Sequence, residues 1–404
     1  MHHVTPPTRP ATQNQRHILR IAERGIIRDA GLAEEHRKIS YTTSLLSLRS
    51  GTVLAGCQSG PGKHTPNNTI LLARSRDGGR TWTPLPHQFP TVYQGIPGSL
   101  LCASMVEASP GRILLFTTWF DRSDPQRPLF DPTTEGLLRS RQLFCCSDDE
   151  GDTWTSWSEM QTPGLTGCAV SGPALHWSDG TIGVSFESFK EFDDLSPLQP
   201  AAWLNLSRDG GRTFERPRQI AQDPDHQTYF WDQRAVATGS PDGLLALYWT
   251  HDRSTGRDLN VHLTRQLLTE DPSLAAMPRD TGLRGQIAAP LLTVSGILFA
   301  LVVDRGLPGT ITLFQSSDFG AHWHTAGGFL IYAHDETAAV TPGHQHVDFA
   351  KYWEDMGKWS FGHPAICALP EENTWLTAWY AGTPDAMSIH WARIESTGLE
   401  IAPT

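Results

Sequence analysis

The chain has 404 residues, which is enough for two ordinary domains or for one large all-β domain. Its formal net charge of −11 argues against a surface that binds nucleic acid. It has no apolar stretch of the ~18 residues that a transmembrane helix requires, so no membrane partner is expected. The 36 glycines and 29 prolines are many for a helical protein and indicate frequent turns between short strands.

The start of the chain and the cysteines bear on its compartment. Residues 1–17, MHHVTPPTRPATQNQRH, lack the apolar core of a signal peptide. The six cysteines show no CxxC spacing, and two of them, Cys145 and Cys146, are adjacent. This usage favours buried free thiols in a reducing compartment. A cytoplasmic location is therefore expected, with secretion left open.

Residues 1–38 form a leading segment whose pattern differs from that of the rest. In HILRIAERGIIRDAGLAEEHRK (17–38), the apolar residues Ile18, Leu19, Ile21, Ile26 and Ile27 follow a helical spacing. The spacing predicts a helix that either caps the remainder of the chain or mediates oligomerisation. The oligomeric state itself is not predicted.

One octapeptide pattern occurs four times along the chain. The copies are SRDGGRTW (75–82), SDDEGDTW (147–154), SRDGGRTF (207–214) and SSDFGAHW (316–323), and each follows a β-like stretch. The aspartate can accept hydrogen bonds from turn amides, and the glycine can adopt a positive φ. The repeat therefore predicts tight turns with a structural role, and its aspartates are poor catalytic candidates.

The octapeptides belong to larger units, each with an apolar strand, a turn and a second apolar strand. Six such units begin near residues 41, 97, 170, 232, 286 and 363, a spacing of roughly 60 residues. The pattern predicts an all-β fold, a six-bladed β-propeller in which each blade has four strands. Residues 39–396 form this single domain, with an insert at about 333–358.

The octapeptides resemble the Asp boxes, S-x-D-x-G-x-T-W, of the sialidase (neuraminidase) superfamily, and the resemblance covers about residues 40–395. It implies a sialidase-like six-bladed propeller and activity on carbohydrates. The family usually has an arginine, an aspartate and a tyrosine at three catalytic positions. Here Tyr41 in SYTTSLL, His64 in CQSGPGKHTPNN and His363 in FGHPAI stand at those places, which marks the chain as a divergent member.

Aspartate precedes arginine after an apolar strand in three of the units. The pairs are Asp121–Arg122 in TWFDRSD, Asp252–Arg253 in YWTHDRS and Asp304–Arg305 in VVDRGLPG. With Arg234 in FWDQRAV, these arginines predict a cationic funnel at the mouth of the propeller that binds a carboxylate or sulfate. Gln286, Tyr380 and Trp231 complete the expected substrate-binding set.

Three carboxylates are candidates for proton transfer. Glu187 ends the apolar strand TIGVSFES, where partial burial is expected to raise its pKa towards that of a general acid at neutral pH. Asp232 and Asp252 are the other candidates. The favoured function is a sialidase-like exo-glycosidase that cleaves a glycosidic bond at an acidic sugar, with an acidic oligosaccharide or glycoconjugate as its partner.

Two alternatives remain open. Tyr41, His64 and His363 suit a polysaccharide lyase that takes a proton next to a uronate carboxylate, while an arginine neutralises the charge. Aromatic platforms such as Trp231 and Tyr380 suit a glycan-binding propeller without catalysis. No cofactor is expected. No metal is expected either, because HWH (322–324) and HQH (344–346) lack an evident third ligand.

Overall fold

A computed structural model describes residues 15–239, 242–268, 277–306, 308–334 and 356–401, and these form six antiparallel blades. Blade one contains β2 (Ile39–Ser47), β3 (Val53–Gly60), β4 (Thr69–Ser75) and β5 (Thr83–Pro84). Blade two contains β6 (Gly98–Ser109), β7 (Arg112–Asp121), β8 (Ser140–Ser147) and β9 (Ser158–Glu159). Blade three contains β10 (Cys168–Val170), β11 (Leu175–His176), β12 (Ile182–Ser188), β13 (Ala201–Ser207) and β14 (Arg218–Ala221).

The remaining three blades follow the same order from inner to outer strand. Blade four contains β15 (Thr228–Ala237), β16 (Gly243–Asp252), β17 (Arg257–Asp258), β18 (His262–Leu267) and β19 (Arg279–Asp280). Blade five contains β20 (Ala288–Leu292), β21 (Leu298–Asp304), β22 (Gly309–Ser316) and β23 (Phe329–His334). Blade six contains β24 (Phe361–Ala368), β25 (Thr374–Thr383), β26 (Ala386–Ile401) and β1 (Gln15–Arg28). Short 3-10 helices cover Ala30–Leu32, Glu35–Arg37 and Thr325–Gly327.

The blades close into a ring. Each of the six interfaces between neighbouring blades holds a cluster of buried hydrophobic residues, including the interface between blades six and one. At that last interface a parallel pairing of Ile39 with Met387 joins the two sheets. Middle strands are therefore covered on both faces, which explains near-continuous apolar runs such as GLLALYW in β16. The predicted six-bladed propeller is confirmed.

The helix predicted in the leading segment is wrong. Residues Gln15–Arg28 form β1, which pairs antiparallel with β26 as the outer strand of blade six. Leu19 and Ile21 pack against the hydrophobic cluster between blades five and six. The apolar spacing resembled a helix because β1 has three register shifts, which interrupt the simple alternation of a strand. The predicted insert at about 333–358 lies mostly, at 335–355, outside the described residues.

The four octapeptides form the same turn between the third and fourth strands of their blades. In each copy the serine hydroxyl accepts a hydrogen bond from the glycine amide four residues later, at 2.8–2.9 Å. The aspartate carboxylate accepts from the amide of the residue four positions later, at 2.8–2.9 Å. Each aspartate is therefore engaged within its own turn, at the outer edge of the propeller.

Replacing Asp149 by alanine is expected to destabilise the protein by about 1–3 kcal/mol, because Asp149 accepts bonds from Ser147 and from both donors of Thr153. Asp148→Ala is the matched control, since Asp148 is exposed and forms only a surface ion pair with Arg112. Urea denaturation of both variants measures the difference, and equal losses would contradict the structural role.

The contribution of Asp149 to the stability of the protein should depend on pH, because Asp149 accepts hydrogen bonds within its turn. Hydrogen bonds from Thr153 lower the pKa of Asp149 to about 2, from an ordinary value of 3.8. The stabilisation is therefore present above pH 3.8 and is lost as the pH falls towards 2. The difference in stability between Asp149→Ala and the wild type should shrink over that interval.

The inner strands of four blades share an irregularity that positions the site. The strands β2, β6, β15 and β24 each shift register around one residue with positive φ, namely Thr42 (54°), Cys102 (54°), Asp232 (44°) and His363 (47°). Positive φ is uncommon for residues other than glycine and is often found at functional sites. The bulges direct polar side chains towards the axis of the propeller and its mouth.

Candidate functional site

Three basic side chains from three blades lie in one region of the molecule. Lys63 belongs to the loop after β3, Arg122 follows β7 and Arg305 follows β21. Lys63 Nζ and Arg305 Nη2 both donate to the Tyr380 hydroxyl, at 2.9 and 3.4 Å. Arg122 Nη2 donates to the carbonyl oxygen of His64 at 2.7 Å. We call Lys63, Arg122 and Arg305 the cationic cluster.

The other hydrogen bonds that join the cationic cluster to described residues also end on neutral oxygens. These acceptors are Ser99 Oγ and Arg127 O for Arg122, Met356 O and Trp359 O for Lys63, and Gln286 Oε1 and Phe361 O for Arg305. Arg122 and Arg305 are only 4% and 2% exposed. Burial lowers the pKa of Lys63, and it lowers that of Arg122 to about 10. Buried cations held by neutral groups are costly, and they suit an anionic ligand.

Tyr380 lies between two of these cations. Burial by itself would raise the pKa of Tyr380, but the charges of Lys63 and Arg305, and the hydrogen bonds that they donate, lower it below its ordinary value. Lys63 Nζ also lies 4.4 Å from the centre of the Tyr380 ring. The phenol is thus prepared to carry negative charge, a property needed in a nucleophile or a general base.

Tyr41, in contrast, is held as a structural group. Its hydroxyl accepts from the His64 amide at 2.7 Å and from Asn68 Nδ2 at 3.2 Å. Burial raises the pKa of Tyr41 well above its ordinary value. The ring of Tyr41 packs edge-on against Tyr380, with 6.3 Å between ring centroids. Burial, Lys63 and Arg122 lower the pKa of His64 to about 3, so its imidazole is neutral at physiological pH.

A second group, at the inner ends of blades three and four, contains two carboxylates. Glu187 is 7% exposed at the end of β12, and its Oε1 accepts from the Gln233 amide at 3.0 Å. Burial, and then the nearby charge of Asp232, raise the pKa of Glu187 to about 8. Glu187 therefore carries a proton at neutral pH, as its place at the end of an apolar strand predicted. We call Glu187 and Asp232 the carboxylate pair.

Arg234 and His363 lie beside the carboxylate pair. Arg234 Nε donates to Asp232 Oδ1 at 2.9 Å, and Arg234 is only 3% exposed. His363 Nδ1 lies 3.3 Å from the carbonyl oxygen of Thr43. Burial, and then the charge of Arg234, lower the pKa of His363 to about 3. This histidine is neutral and is a weak base at physiological pH.

Gly362 connects the cationic cluster with the carboxylate pair. It directly precedes His363, which lies beside Arg234 and Asp232. A Cβ atom at Gly362 would lie 2.1 Å from Arg305 Nη2 and 3.4 Å from the Tyr380 hydroxyl. Its φ of +140° is also one that side chains other than glycine rarely adopt. Consecutive residues of β24 therefore contact the two groups of charged residues, Gly362 the cationic cluster and His363 the residues beside the carboxylate pair.

Gly362→Ala is expected to displace the Arg305 guanidinium and to destabilise the protein by about 1–3 kcal/mol, because the buried side chain has little room to move. Gly357→Ala is the control, since a Cβ there meets nothing within 4 Å. Thermal unfolding compares the two variants. A melting temperature for Gly362→Ala equal to that of the control would show that Arg305 is not confined by this glycine.

The residues of the three predicted aspartate–arginine pairs have different surroundings in the structure. Each aspartate accepts a hydrogen bond from the backbone amide two residues later, in a turn that ends its strand. The amide donors are Ser123 for Asp121, Ser254 for Asp252 and Gly306 for Asp304, at 2.7–2.9 Å. Although burial opposes it, hydrogen bonds from Ser254 and Thr255 lower the pKa of Asp252. Arg253 pairs with Glu135 at 3.3 Å, is 40% exposed, and lies 5.9 Å from the centre of the Tyr229 ring. Asp121, Asp252 and Asp304 are therefore engaged in their own turns, and Arg253 already has an anionic partner.

A buried chain of hydrogen bonds holds Arg305 in place. Gln286 Oε1 accepts from Arg305, and Gln286 Nε2 donates to Asp258 Oδ2 at 2.6 Å. The other Asp258 oxygen is bonded to His251 Nδ1 at 3.0 Å. Trp231 stacks on His251, with 5.2 Å between centroids, and is only 4% exposed. Gln286 and Trp231 thus act from within the core rather than as open platforms for a sugar.

Sequence reasoning missed two members of this site. Lys63 stands next to His64 in a loop that drew attention only to the histidine, and Asp258 lies in the two-residue strand β17. Their roles come from partners 317 and 28 residues away, Tyr380 and Gln286, so a local pattern carries little signal for them. The adjacent Lys-His pair was the one available hint.

Two features of the described residues bear on metal binding and membrane insertion. In the described ranges no group of three or more His, Cys, Asp or Glu side chains could hold a metal ion. His344 and His346 lie outside those ranges, while His322 pairs with Asp318 in an exposed turn at 2.7 Å. Within the part of the chain that the structure covers, no helix is long and apolar enough to span a bilayer.

No family model matches the chain, and no curated protein matches it in sequence. Solved structures do. A protein of unknown function from Dyadobacter fermentans aligns with a TM-score of 0.70 at 16% identity, over 94% of this chain and 99% of that one. A Hadza microbial sialidase aligns with a TM-score of 0.63 at 17% identity, over 93% of this chain and 68% of that one. A Penicillium chrysogenum alpha-L-arabinanase complexed with arabinobiose aligns with a TM-score of 0.60 at 13% identity, over 93% of this chain and 98% of that one.

These likenesses extend over nearly the whole chain, and they include further sialidases and trans-sialidases. The chain has the sialidase fold. The low identities fit a divergent sialidase-like propeller, in agreement with the altered residues at positions 41, 64 and 363. A shared fold does not carry a shared reaction, so the activity has to be argued from the site.

Proposed function

We propose that this sialidase-like propeller is a glycoside hydrolase that cleaves a glycosidic bond at an acidic sugar. The observation that carries the proposal is the cationic cluster, whose buried charges end on neutral oxygens, next to a carboxylate pair with one protonated member. The neighbouring folds include sialidases and an arabinanase, which supports a hydrolase in general terms.

The cationic cluster would bind the acid group of the sugar. Arginine donates to both oxygens of a carboxylate in a planar arrangement, and Lys63 adds a further positive charge. Such a ligand would offset the cost of burying Arg122 and Arg305, since each would gain an anionic acceptor. Arg253 already pairs with Glu135 and is not part of the proposed subsite.

The carboxylate pair and Tyr380 would perform the bond cleavage. Glu187 gives its proton to the leaving oxygen as the bond from that oxygen to the anomeric carbon breaks. The Tyr380 oxygen, held by two cations, stabilises the positive charge that develops on the anomeric carbon. Water then adds to that carbon and returns a proton to Glu187. The net reaction is hydrolysis.

The test is an incubation of the protein with sialosides, uronate-containing oligosaccharides and neutral arabino-oligosaccharides. Released reducing sugar and ultraviolet absorbance are followed together. Hydrolysis of an acidic substrate releases sugar without absorbance, while the neutral substrates stay intact. Release only from arabino-oligosaccharides would contradict the proposed acidic subsite. Binding of a glycan without turnover would favour a role as a glycan-binding propeller.

A lyase is a second candidate, favoured by Tyr380. A tyrosine with a lowered pKa beside Lys63 and Arg305 is suited to take a proton next to a uronate carboxylate. Tyr41, His64 and His363 suit this reaction less, because the pKa of Tyr41 is raised and the lowered pKa values of the two half-buried histidines make them weak bases. An unsaturated product that absorbs in the ultraviolet would identify elimination.

A further inference from the structure

Asp258 places a carboxylate in the interior of blade four. It is 5% exposed and lies in the two-residue strand β17, which pairs with β16. Asp258 Oδ1 is bonded to Trp249 Nε1 and to His251 Nδ1, both at 3.0 Å, and Asp258 Oδ2 accepts from Gln286 Nε2 at 2.6 Å. A carboxylate can only accept, so His251 Nδ1 carries the proton in its contact. Donors therefore engage both oxygens of Asp258.

The Gln286 amide joins this carboxylate to Arg305. Its Nε2 donates to Asp258, and its Oε1 accepts from Arg305 Nη1. A carboxylate only accepts and a guanidinium only donates, so the opposite orientation would bring the amide oxygen against Asp258 and the NH2 group against Arg305. Gln286 is only 2% exposed, so solvent would not replace the two lost hydrogen bonds. Asp258 therefore determines which end of the amide faces Arg305.

The amide also keeps a carboxylate from direct contact with Arg305. Arg234, by comparison, meets Asp232 directly at 2.9 Å, and the charges of that pair compensate each other. Among the described residues Arg305 has no such ion pair, and its hydrogen bonds end on neutral oxygens. A neutral amide between the two charges passes on the orientation that the carboxylate imposes. It leaves the positive charge of Arg305 available to an anion.

Hydrogen bonds hold both ends of the Arg305 guanidinium. Nη1 donates to Gln286 Oε1, while Nη2 donates to the Phe361 carbonyl oxygen at 3.0 Å and to the Tyr380 hydroxyl at 3.4 Å. The guanidinium is planar and rigid, so a displacement at Nη1 also moves Nη2. The contact with Tyr380 is the longest of the three and is the most easily lost. Although burial opposes it, Lys63 and Arg305 lower the pKa of Tyr380, so this phenol reports the position of Arg305.

We propose that Asp258 is a positioning residue, which acts through the Gln286 amide to fix Arg305 against Tyr380 while no carboxylate contacts the guanidinium. The consequence for an acidic ligand rests on the proposed function, because the charge of Arg305 matters to binding only if the cationic cluster holds an anion. The orientation of Arg305 and the ionisation of Tyr380 do not depend on a ligand. They can therefore be tested separately from the activity.

The first test is the ionisation of Tyr380 in the full chain carrying Asp258→Asn, followed by tyrosinate absorbance without a ligand. The new side-chain oxygen should face Trp249 and His251, because an indole N–H can only donate. Its NH2 group then faces Gln286, which turns its own NH2 group towards Arg305. The contact of Arg305 with Tyr380 is lost, and the pKa of Tyr380 is expected to rise.

The direction of this shift decides the role of Asp258. If Asp258 acted only through its negative charge, its removal would lower the pKa of Tyr380. A lowered or unchanged pKa would therefore overturn the proposal. Gln286→Met, which leaves Asp258 in place but removes the amide, should raise the pKa in the same way. Asp280→Asn is the matched control, since it removes an exposed carboxylate from β19 of the same blade and should have no effect.

A double variant, Asp258→Asn with Gln286→Glu, separates position from charge. The new carboxylate can accept from the new amide on one side and from Arg305 on the other, so the melting temperature should recover relative to Asp258→Asn alone. It also places a negative charge directly on Arg305, so the pKa of Tyr380 should stay above that of the wild type. Recovery of both the melting temperature and the pKa to wild-type values would overturn the proposal, because the neutral amide would then not be required.

Ligand binding is measured last, with glucuronate and N-acetylneuraminate as acidic probes and arabinose as the neutral control. The double variant is expected to bind both acids at least ~10-fold more weakly than the wild type, because the new carboxylate competes for Arg305. Binding of arabinose should not change. A raised pKa of Tyr380 with unchanged binding of the acids would support the role of Asp258 and would contradict the proposed acidic subsite.

Discussion

Glu187→Gln is expected to lower the turnover of an acidic glycoside by ~10²–10⁴-fold, because the amide cannot give a proton to the leaving oxygen. The substitution keeps the size of the side chain, and its amide oxygen can still accept from the Gln233 backbone. Binding of the substrate should change little. Initial rates over a range of substrate concentrations separate the two effects, and Glu191→Gln, at an exposed position, serves as the control.

The same variant should be more stable than the wild type at neutral pH. Burial and Asp232 raise the pKa of Glu187 from 4.5 to about 8, so the folded state binds the extra proton between those values. Stability conferred by this group therefore falls as the pH rises from about 4.5 to 8, and glutamine has no such penalty. The gain in melting temperature of Glu187→Gln should grow across this interval. A gain that is the same at pH 4 and pH 8 would show that Glu187 is not a buried acid.

The activity of the wild type should follow the same group. A general acid works only while it is protonated, so turnover is expected to decline on the alkaline side, above a pH of about 8. This limb should disappear from the residual activity of Glu187→Gln. A pH–rate profile on one acidic substrate, recorded for both proteins, tests the assignment.

Arg305→Ala is expected to weaken the binding of an acidic ligand by about 2–5 kcal/mol, the range found when one partner of a buried charged pair is removed. This corresponds to a loss of at least ~30-fold in affinity. Neutral ligands should lose much less. Arg253→Ala is the matched control, because Arg253 lies on the rim but is 40% exposed and pairs with Glu135. A similar loss for both variants would show that the anion does not bind at the cationic cluster.

Removal of Arg305 should also change Tyr380. Arg305 is one of two cations that lower the pKa of this phenol, so Arg305→Ala is expected to raise it. Titration of tyrosinate absorbance in the wild type and the variant measures the shift, since the variant would lose one tyrosine that ionises early. This readout does not require a substrate, and it distinguishes an electrostatic role of Arg305 from a purely structural one.

Several features of the molecule could be predicted from the sequence because their causes are local. The octapeptides contain both partners of their turn within eight residues, such as Ser147 and Asp149, so a repeated pattern sufficed to predict repeated blades. Glu187 could be identified as an acid with a raised pKa, because it lies at the end of an apolar strand.

The tertiary structure decided the features whose causes lie far apart in the chain. The cationic cluster contains residues from the loops of three blades. The pKa of Tyr380 is lowered by Lys63, which is 317 residues away in the chain. The Asp-Arg pairs were identical as dipeptides, yet Arg122 and Arg305 turn inwards while Arg253 pairs with Glu135. The first strand was unpredictable for the same reason, because its hydrogen bonds go to β26 at the other end of the chain. Local chemistry predicts turns and strands, whereas the partners of a charge or of a strand edge exist only once the ring is closed.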